Sequence, residues 1–123
     1  MIADVAHNPD GMRTLMSSVE KLLVGSCIVV FGVLRDKDYH AMIDSLAPRA
    51  RMLIGVKPQT ERALETAKIV EYGQKRGLKS IEGGTVAAGI QMASGEAREG
   101  ETVLVAGSHY VVGEALDLLQ FDV

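Results

Sequence analysis

Polar residues that could do chemistry stand near the start of the chain. Asp4 and His7 lie in the segment Asp4–Pro9, directly after a strand-like apolar stretch and directly before a helical pattern. Asn8 is a residue type that caps helices, and Pro9 suits the first helical position, where an N–H is not needed. A carboxylate and an imidazole are therefore predicted at the carboxyl end of a strand, where open α/β sheets bind ligands, often phosphorylated ones. A capped strand–helix turn with a surface histidine is an equally good interpretation of the spacing.

Two later turns carry groups of the same kind. Lys37 stands in a polar turn after the apolar run Cys27–Phe31, and its ammonium could meet a phosphate or a carboxylate. Ser108 and His109 follow the apolar run Thr102–Ala106, and a serine hydroxyl beside helix N–H groups could hold an anion. Taken alone, a solvated turn and a plain capped helix account for both patterns.

Other catalytic devices have weaker support. Ser108 and His109 are adjacent and point in different directions, so a serine–histidine nucleophile would need His7 instead. No G-x-S-x-G motif supports a hydrolase, and no G-x-x-x-x-G-K-[ST] loop is present to cradle a triphosphate. His7 and His109 with Asp4 could hold a metal, but no tight ligand spacing supports this. His40 is expected on the surface of a helix.

Composition narrows the class of protein. The 123 residues suit a single domain with one core, and 13 basic against 16 acidic residues give a net charge of −3. Bulk charge therefore indicates neither a nucleic-acid nor a membrane partner. The one cysteine, Cys27, lies in an apolar run and is expected in the core of a protein from a reducing compartment. The sequence has no apolar run long enough to span a bilayer and no signal peptide, so we expect a cytoplasmic domain. Because the sequence opens inside a predicted strand, we also expect it to be a piece of a larger protein.

Hydrophobic periodicity predicts five β–α units, which right-handed crossovers fold into a mainly parallel sheet with helices on both faces. The strands are predicted at Met1–Val5, Cys27–Phe31, Arg51–Val56, Leu78–Ile81 and Thr102–Ala106, and a turn is predicted at Gly83–Gly84 after the fourth strand. The helices are predicted at about Pro9–Leu23, Tyr39–Leu46, from a Thr60 cap to Gly77, from a Thr85 cap to about Ala97, and from Ser108 onward. The inward residues include Leu22 and Leu23 in the first helix, Ala63, Leu64, Ala67 and Val70 in the third, and Val111, Val112, Ala115, Leu116 and Leu119 in the last. All β→α loops share one edge of such a sheet, where Asp4, His7, Asp36, Lys37, Thr85, Ser108 and His109 could converge.

Three segments together resemble a known family. Residues 4–9 (D-V-A-H-N-P), 31–38 (F-G-V-L-R-D-K-D) and 105–114 (V-A-G-S-H-Y-V-V-G-E) are similar, in order and spacing, to the C-terminal domain of folylpolyglutamate synthase/dihydrofolate synthase. Pro58 with Arg62 and Ala63 fits as well, so the resemblance covers essentially the whole chain. Within the Mur ligase superfamily, D-x-A-H-N-P with D-K-D points to the folate branch rather than to the peptidoglycan ligases.

The resemblance implies a fold and a reaction. The fold is a three-layer, Rossmann-like α/β domain over residues 1–123, with a mainly parallel sheet of five or six strands. The reaction joins L-glutamate to a folate or pteroate carboxylate with ATP and Mg²⁺, through an acyl phosphate. The partners implied are L-glutamate, ATP and folate, together with an N-terminal P-loop ATPase domain that carries most of the Mg²⁺ ligands.

The resemblance also assigns residues by position. It places Asp4, His7 and Asn8 on the ATP side, with Asp4 toward the ribose. It places His7, Lys37, Ser108 and His109 on the glutamate side, with Ser108 toward a carboxylate. It implies no catalytic residue and no metal ligand in this domain by itself. His109 departs from the pattern, because the family commonly has an apolar residue there.

The missing parts of the family pattern predict that the chain alone is inactive. The P-loop, the metal ligands and the folate-binding domain are absent from the 123 residues, as is the lead-in segment where the family has a nucleotide-contacting arginine. Two other hypotheses stay open. One is the C-terminal domain of a peptidoglycan-type Mur ligase, and the other is a stand-alone, non-catalytic α/β binding module.

Overall fold

In the part of the chain that the structure describes, five strands alternate with five helices, as the sequence predicts. The computed structural model describes residues 1–21 and 25–121, the last three of them by their backbone. The strands are β1 (Ile2–Ala3), β2 (Cys27–Phe31), β3 (Ala50–Val56), β4 (Lys79–Gly84) and β5 (Thr102–Ala106). The helices are α1 (Pro9–Glu20), α2 (Tyr39–Leu46), α3 (Thr66–Lys75), α4 (Val86–Glu96) and α5 (His109–Phe121). None of the described helices is long and apolar enough to cross a bilayer.

The strands form one sheet in the order β1-β5-β2-β3-β4, and every pair is parallel. The chain moves outward from β2 to β4 and then returns to insert β5 between β1 and β2. The α/β prediction is confirmed. Because β1, β5 and β2 are neighbours, the three loops that follow them leave the sheet side by side, and these loops carry the predicted site residues.

The core has two layers, one on each face of the sheet, and β2 shows why. Cys27, Val29 and Phe31 pack with α1, α2 and α3, whereas Ile28 and Val30 pack with α4 and α5. All five residues are fully buried, which explains their unbroken apolar run. Cys27 lies in the core as predicted, and this burial raises the pKa of its thiol to about 11.

Four of the described helices begin at a residue whose side chain caps the helix. The side-chain oxygens of Asn8, Asp38, Thr85 and Ser108 each accept a backbone N–H from three residues ahead. Each cap satisfies one of the N–H groups that a helix leaves unpaired at its start. All four caps lie on the edge of the sheet from which the β→α loops emerge.

The third helix starts later than predicted. It begins at Thr66, not after Thr60, because the preceding loop pairs with the loop after β2. Ala63 forms an antiparallel bridge with Leu34, and the Leu64 N–H donates to the Val33 carbonyl at 2.8 Å. Because the backbone groups of these two residues are hydrogen-bonded to the other loop, they cannot form the hydrogen bonds of a helix. Ala63 and Leu64 are nevertheless buried, as predicted.

The inward faces of two helices also differ from the prediction. In α3 the buried residues are Ile69 and Gly73, while Ala67 is exposed and Val70 only half-buried. Ala63 and Leu64 belong to the preceding loop, so their burial does not mark the inward stripe of the helix. In α5, Leu116 is 48% exposed, although Val111, Val112 and Ala115 are buried as predicted. The predicted inward residues Leu22, Leu23 and the Leu119 side chain lie outside the described residues.

Strand and helix ends shift as well. β1 is limited to Ile2–Ala3, α1 ends at Glu20, and β4 runs on through Gly84. The predicted turn at Gly83 belongs to the strand because α4 lies against it. A Cβ at Gly83 would come within 2.6 Å of Ile54 Cγ2 and 3.0 Å of Gly89 Cα.

An ion pair links the starts of β3 and β5, at the edge of the sheet opposite the β→α loops. The Glu101 side chain is only 6% exposed, and its carboxylate accepts from Arg51 Nε at 2.9 Å and from Arg51 Nη2 at 2.8 Å. The Ser26 hydroxyl and the Arg98 N–H donate to it as well. The Arg51 hydrogen bonds, more than any other contact, lower the pKa of Glu101 to about 2.

This low pKa predicts an acid sensitivity that depends on Glu101. A carboxylate whose pKa falls on folding contributes stability above its unfolded value near 4.5, and that stability is lost as the pH falls toward 2. In urea unfolding from pH 6 to pH 2.5, Glu101→Gln should have a lower free energy of unfolding than the wild type at pH 6. This difference in free energy should narrow below pH 4.5. Glu71→Gln, which removes an exposed partner of Lys75, is the control and should show a small gap throughout. A stability difference between the wild type and E101Q that stays constant with pH would contradict the prediction.

Candidate functional site

The loops after β1, β5 and β2 are tied together by backbone hydrogen bonds beyond the ends of the strands. The Asp4 N–H donates to the Val105 carbonyl at 3.0 Å, and the Gly107 N–H donates to the Ala6 carbonyl at 3.0 Å. On the other side, the Gly32 N–H donates to the Ala106 carbonyl at 3.3 Å. The three loops therefore keep a fixed spacing as they leave the sheet.

Two glycines allow this close spacing. Gly107 has a φ of +120°, and a Cβ built there would lie 2.1 Å from the Gly32 carbonyl oxygen. A Cβ at Gly32 would lie 2.7 Å from Val111 Cγ2 and 2.8 Å from the Val56 carbonyl oxygen. A side chain at Gly107 would therefore push the loop after β5 away from the loop after β2, and a side chain at Gly32 would clash with α5 and with the end of β3.

A small pocket of about 90 Å³ opens where these loops meet. We call it the rim pocket, and it is lined by His7, Leu34, Lys37, Gly107, Ser108, His109 and Tyr110. The structure thus brings together all four residues predicted on the glutamate side, from three loops that are far apart in the sequence. Convergence at one edge, predicted from the parallel topology, is confirmed for these four positions.

Two imidazoles lie side by side at the rim pocket. The ring centroids of His7 and His109 are 4.8 Å apart, with the ring planes at 44°. The Nδ1 of His7 is 3.0 Å from the Val5 carbonyl oxygen, which can only accept, so Nδ1 carries the proton. This leaves Nε2 of His7 as the nitrogen available to a ligand.

Ser108 and Lys37 supply two further polar groups. Ser108 is 2% exposed, and its oxygen accepts the Val111 N–H at 3.1 Å as the cap of α5. Because that oxygen is acting as an acceptor, its hydroxyl proton is free to donate to a ligand. Lys37 is half-buried and makes no ion pair with any described residue. Its charge is therefore available to an anion.

Asp4 and Asn8 line a second, more open cavity of about 370 Å³ beside α1. We call it the α1 groove, and its lining also includes His7, Gly11, Thr14 and Ser18. Asp4 Oδ1 accepts the Ala6 N–H at 3.0 Å, and Asn8 Oδ1 accepts the Gly11 N–H at 2.7 Å. His7 lines both cavities, so the residues predicted on the ATP side and on the glutamate side are contiguous.

Sequence analysis missed the apolar part of the rim pocket. Leu34 and Tyr110 were within the segments singled out but carried no polar signal. Leu34 is positioned by its bridge to Ala63, a pairing between distant residues that no local pattern reveals. Tyr110 follows from the helical start at His109 and is 43% exposed at the mouth of the pocket.

The donor groups of the described side chains decide whether a metal ion could bind. Among residues 1–21 and 25–121, no group of three or more histidine, cysteine, aspartate or glutamate side chains is arranged to hold a metal ion. Mg²⁺ prefers oxygen ligands in octahedral geometry, and the rim pocket lining holds no carboxylate. The rim pocket by itself therefore does not fit a magnesium site.

Comparison with known proteins identifies relatives with named activities. Residues 1–109 match the family model described as "Mur ligase, glutamate ligase domain". A probable bifunctional folylpolyglutamate synthase/dihydropteroate synthase of Haloferax volcanii is 29% identical over 116 residues, which are 94% of this chain and 14% of that protein. A folylpolyglutamate synthase of Lacticaseibacillus casei is 40% identical over 68 residues, 54% of this chain and 16% of that protein. The matched residues thus make up only about a seventh of the length of each of these two relatives.

Other relatives extend the comparison to cell-wall ligases and to solved structures. A UDP-N-acetylmuramoyl-L-alanyl-D-glutamate–2,6-diaminopimelate ligase of Agrobacterium fabrum is 28% identical over 113 residues, 90% of this chain and 23% of that protein. The structure of E. coli FolC in complex with DHPP and ADP superposes with a TM-score of 0.86 at 22% identity, covering 97% of this chain and 28% of that chain. This likeness shows that the two share a fold.

The close approach of Gly32 and Gly107 yields a stability prediction. Gly107→Ala should lower the free energy of unfolding by about 2 kcal/mol or more, because it combines a left-handed backbone with a clash against the Gly32 carbonyl. Gly113→Ala is the matched control: it lies in α5 with nothing within 4 Å of an added Cβ, and should stabilise by about 0.5–1 kcal/mol. Urea unfolding measures both. A G107A variant as stable as the wild type would show that the loops can separate freely.

Proposed function

Because this chain belongs to the family of Mur ligase glutamate ligase domains, we propose that it binds the amino acid in an ATP-dependent ligase. The reaction proposed is the addition of L-glutamate to a folate or to dihydropteroate. The observation that carries the proposal is the convergence of His7, Lys37, Ser108 and His109 on one pocket. In the proposed enzyme an N-terminal P-loop ATPase domain and a folate site lie outside these residues, and the enzyme works in the cytoplasm.

The chemistry of the rim pocket suits a carboxylate of the incoming amino acid. The Lys37 ammonium supplies a charge without a competing ion pair among the described residues, and the Ser108 hydroxyl supplies a donor at the pocket wall. Charge-assisted hydrogen bonds of this kind are roughly twice as strong as neutral ones. We assign Lys37 and Ser108 to the carboxylate, with the two imidazoles beside them.

The α1 groove suits the nucleotide. The Asp4 carboxylate keeps acceptor capacity after its bond to the Ala6 N–H, as a ribose hydroxyl requires. Asn8 also lines this groove, and because its oxygen is the helix cap, its amide N–H groups are the part of the side chain that would donate to a ligand. His7 then stands between nucleotide and amino acid. E. coli FolC has been solved with ADP, and a bifunctional folylpolyglutamate synthase/dihydrofolate synthase with Mn, AMPPNP and L-glutamate, which supports these two ligand classes.

The proposed reaction has two steps. A carboxylate oxygen of the folate or pteroate attacks the γ-phosphorus of ATP, and ADP leaves. The glutamate amino nitrogen then attacks the acyl carbon, phosphate leaves, and the amine loses its proton. A divalent metal supplies charge neutralisation at the phosphates, and its ligands would come from the P-loop domain. The residues of this chain hold and orient the glutamate and help to keep water away from a hydrolysable acyl phosphate.

A second candidate is the corresponding domain of a peptidoglycan ligase. The 28% identity to the diaminopimelate ligase of Agrobacterium fabrum favours it specifically. The two candidates differ in the amino acid bound, so ligand choice separates them. Binding of L-glutamate favours the folate ligase, whereas binding of meso-diaminopimelate or D-glutamate favours the cell-wall ligase.

Amino-acid binding to the 123-residue chain tests the proposed site. In amide chemical-shift titrations, L-glutamate should perturb residues 107–110 and the loop around Lys37, and D-glutamate and meso-diaminopimelate should not. Lys37→Ala should weaken L-glutamate about tenfold, because it removes a charge-assisted hydrogen bond. Lys21→Ala, at the exposed end of α1, is the control and should bind normally. Equal affinity in K37A and K21A would reject the assignment.

Activity of the chain by itself gives a second test. With ATP, Mg²⁺, folate and L-glutamate, we expect no ADP release, because no phosphate-cradling loop is present in the 123 residues. ADP release above a protein-free control would refute this prediction. In a parallel reaction, a purified P-loop domain from a folylpolyglutamate synthase is added, and there we expect ADP release.

A further inference from the structure

Lys37 stands between two carboxylates in the sequence, Asp36 and Asp38, yet it makes no ion pair within the described portion of the chain. We propose that Arg62, on the loop after β3, is a positioning residue that holds the Asp36 carboxylate and so keeps the Lys37 ammonium available to the amino-acid carboxylate. This inference rests on the proposed function and deepens it, because Arg62 acts on the ligand only through Asp36 and Lys37.

Each carboxylate beside Lys37 has a partner elsewhere. Asp38 Oδ1 accepts the Ala41 N–H at 3.2 Å as the N-cap of α2, where the positive end of the helix also favours a negative charge. Asp36 Oδ2 lies 3.5 Å from Arg62 Nη2, and neither Asp36 nor Arg62 lines the rim pocket. Both carboxylates are therefore compensated by groups other than Lys37, which does line the pocket.

Backbone hydrogen bonds fix the turn that carries Lys37. The Lys37 N–H donates to the Leu34 carbonyl at 3.2 Å within the turn. The Arg35 N–H donates to the Arg62 carbonyl at 2.8 Å, which attaches the turn to the loop after β3. Because this second bond uses the backbone of Arg62, a substitution of the Arg62 side chain removes the contact with Asp36 and leaves the two loops attached.

An uncompensated carboxylate at Asp36 would oppose ligand binding in two ways. It would attract the ammonium of its neighbour Lys37, and it would repel the carboxylate of an amino acid in the rim pocket. The Arg62 guanidinium offsets both effects, because it places a positive charge beside the Asp36 carboxylate. The side chains of Arg62 and Asp36 are 57% and 61% exposed, so water screens the pair and the expected effect on affinity is modest.

Affinity for L-glutamate, measured by amide chemical-shift titration, tests the role of Arg62. Arg62→Gln removes the charge and should weaken L-glutamate about threefold, as expected for the loss of an exposed ion pair. Arg62→Lys keeps the charge and should bind close to the wild type. Arg76→Gln is the matched control: its guanidinium pairs with Asp44 at 2.9 Å, and neither residue lines the rim pocket, so it should bind normally.

A second substitution separates a positioning role from direct contact with the ligand. Asp36→Asn removes the carboxylate that Arg62 holds, so the double variant D36N/R62Q should regain wild-type affinity for L-glutamate. If Arg62 instead touched the ligand, D36N/R62Q would bind as weakly as R62Q. If Arg62 only stabilised the fold, urea unfolding of R62Q would shift while the affinity of the folded chain stayed unchanged.

A measurement on the ligand-free chain follows the Lys37 side chain directly. In NMR spectra of lysine Cε–H groups, R62Q should move the Lys37 resonance, because the released Asp36 carboxylate then acts on the ammonium. The double variant D36N/R62Q should return this resonance towards its wild-type position. Arg76→Gln should leave it in place.

The inference is overturned if R62Q binds L-glutamate as tightly as the wild type, or if D36N does not restore the affinity that R62Q has lost. If L-glutamate does not bind, or if K37A binds it as tightly as K21A, the proposed function fails and the role of Arg62 in binding fails with it. Weaker binding by K37A together with unchanged binding by R62Q rejects the role of Arg62 and leaves the proposed function standing.

Discussion

The site depends on the close approach of two backbones at the end of the sheet. Gly107, with its φ of +120°, lies so near the Gly32 carbonyl that a methyl group would come within 2.1 Å of it. This approach lets the loop after β5 sit directly beside the loop after β2. Without it, Ser108 and His109 would stand too far from Lys37 to share one small pocket.

Strand order provides the other half of the geometry. Since β5 enters between β1 and β2, three loops that are remote in the sequence become neighbours. Their helices lie on different faces: α1 and α2 cover one side of the sheet, and α5 covers the other. Loops that diverge to opposite faces leave a crevice at the carboxyl ends of the strands, which is where open α/β sheets bind ligands. The rim pocket is that crevice.

Local patterns predicted most elements of the fold and failed where distant segments pair. Cys27–Phe31 and Thr102–Ala106 were predicted correctly because the first is a continuous buried apolar run and the second is apolar and buried from Val103 onward. The third helix was misplaced because residues 63–64 pair with residues 33–34 rather than with their own neighbours. β4 was predicted too short because its glycines read as a turn, whereas tight packing of α4 against the strand requires them.

The sequence by itself determined the alternation of strands and helices, the caps of four of the five described helices, the family and the residues that could bind an anion, because each depends on short-range spacing. The parallel arrangement of the strands followed from the sequence only indirectly, because β–α–β connections are almost always right-handed. Tertiary structure alone decided that His7 meets His109 at 4.8 Å, that Leu34 and Tyr110 complete the pocket, and that Ser108 is buried. Those features arise from strand order and from contacts between backbones, which side-chain periodicity along one segment does not encode.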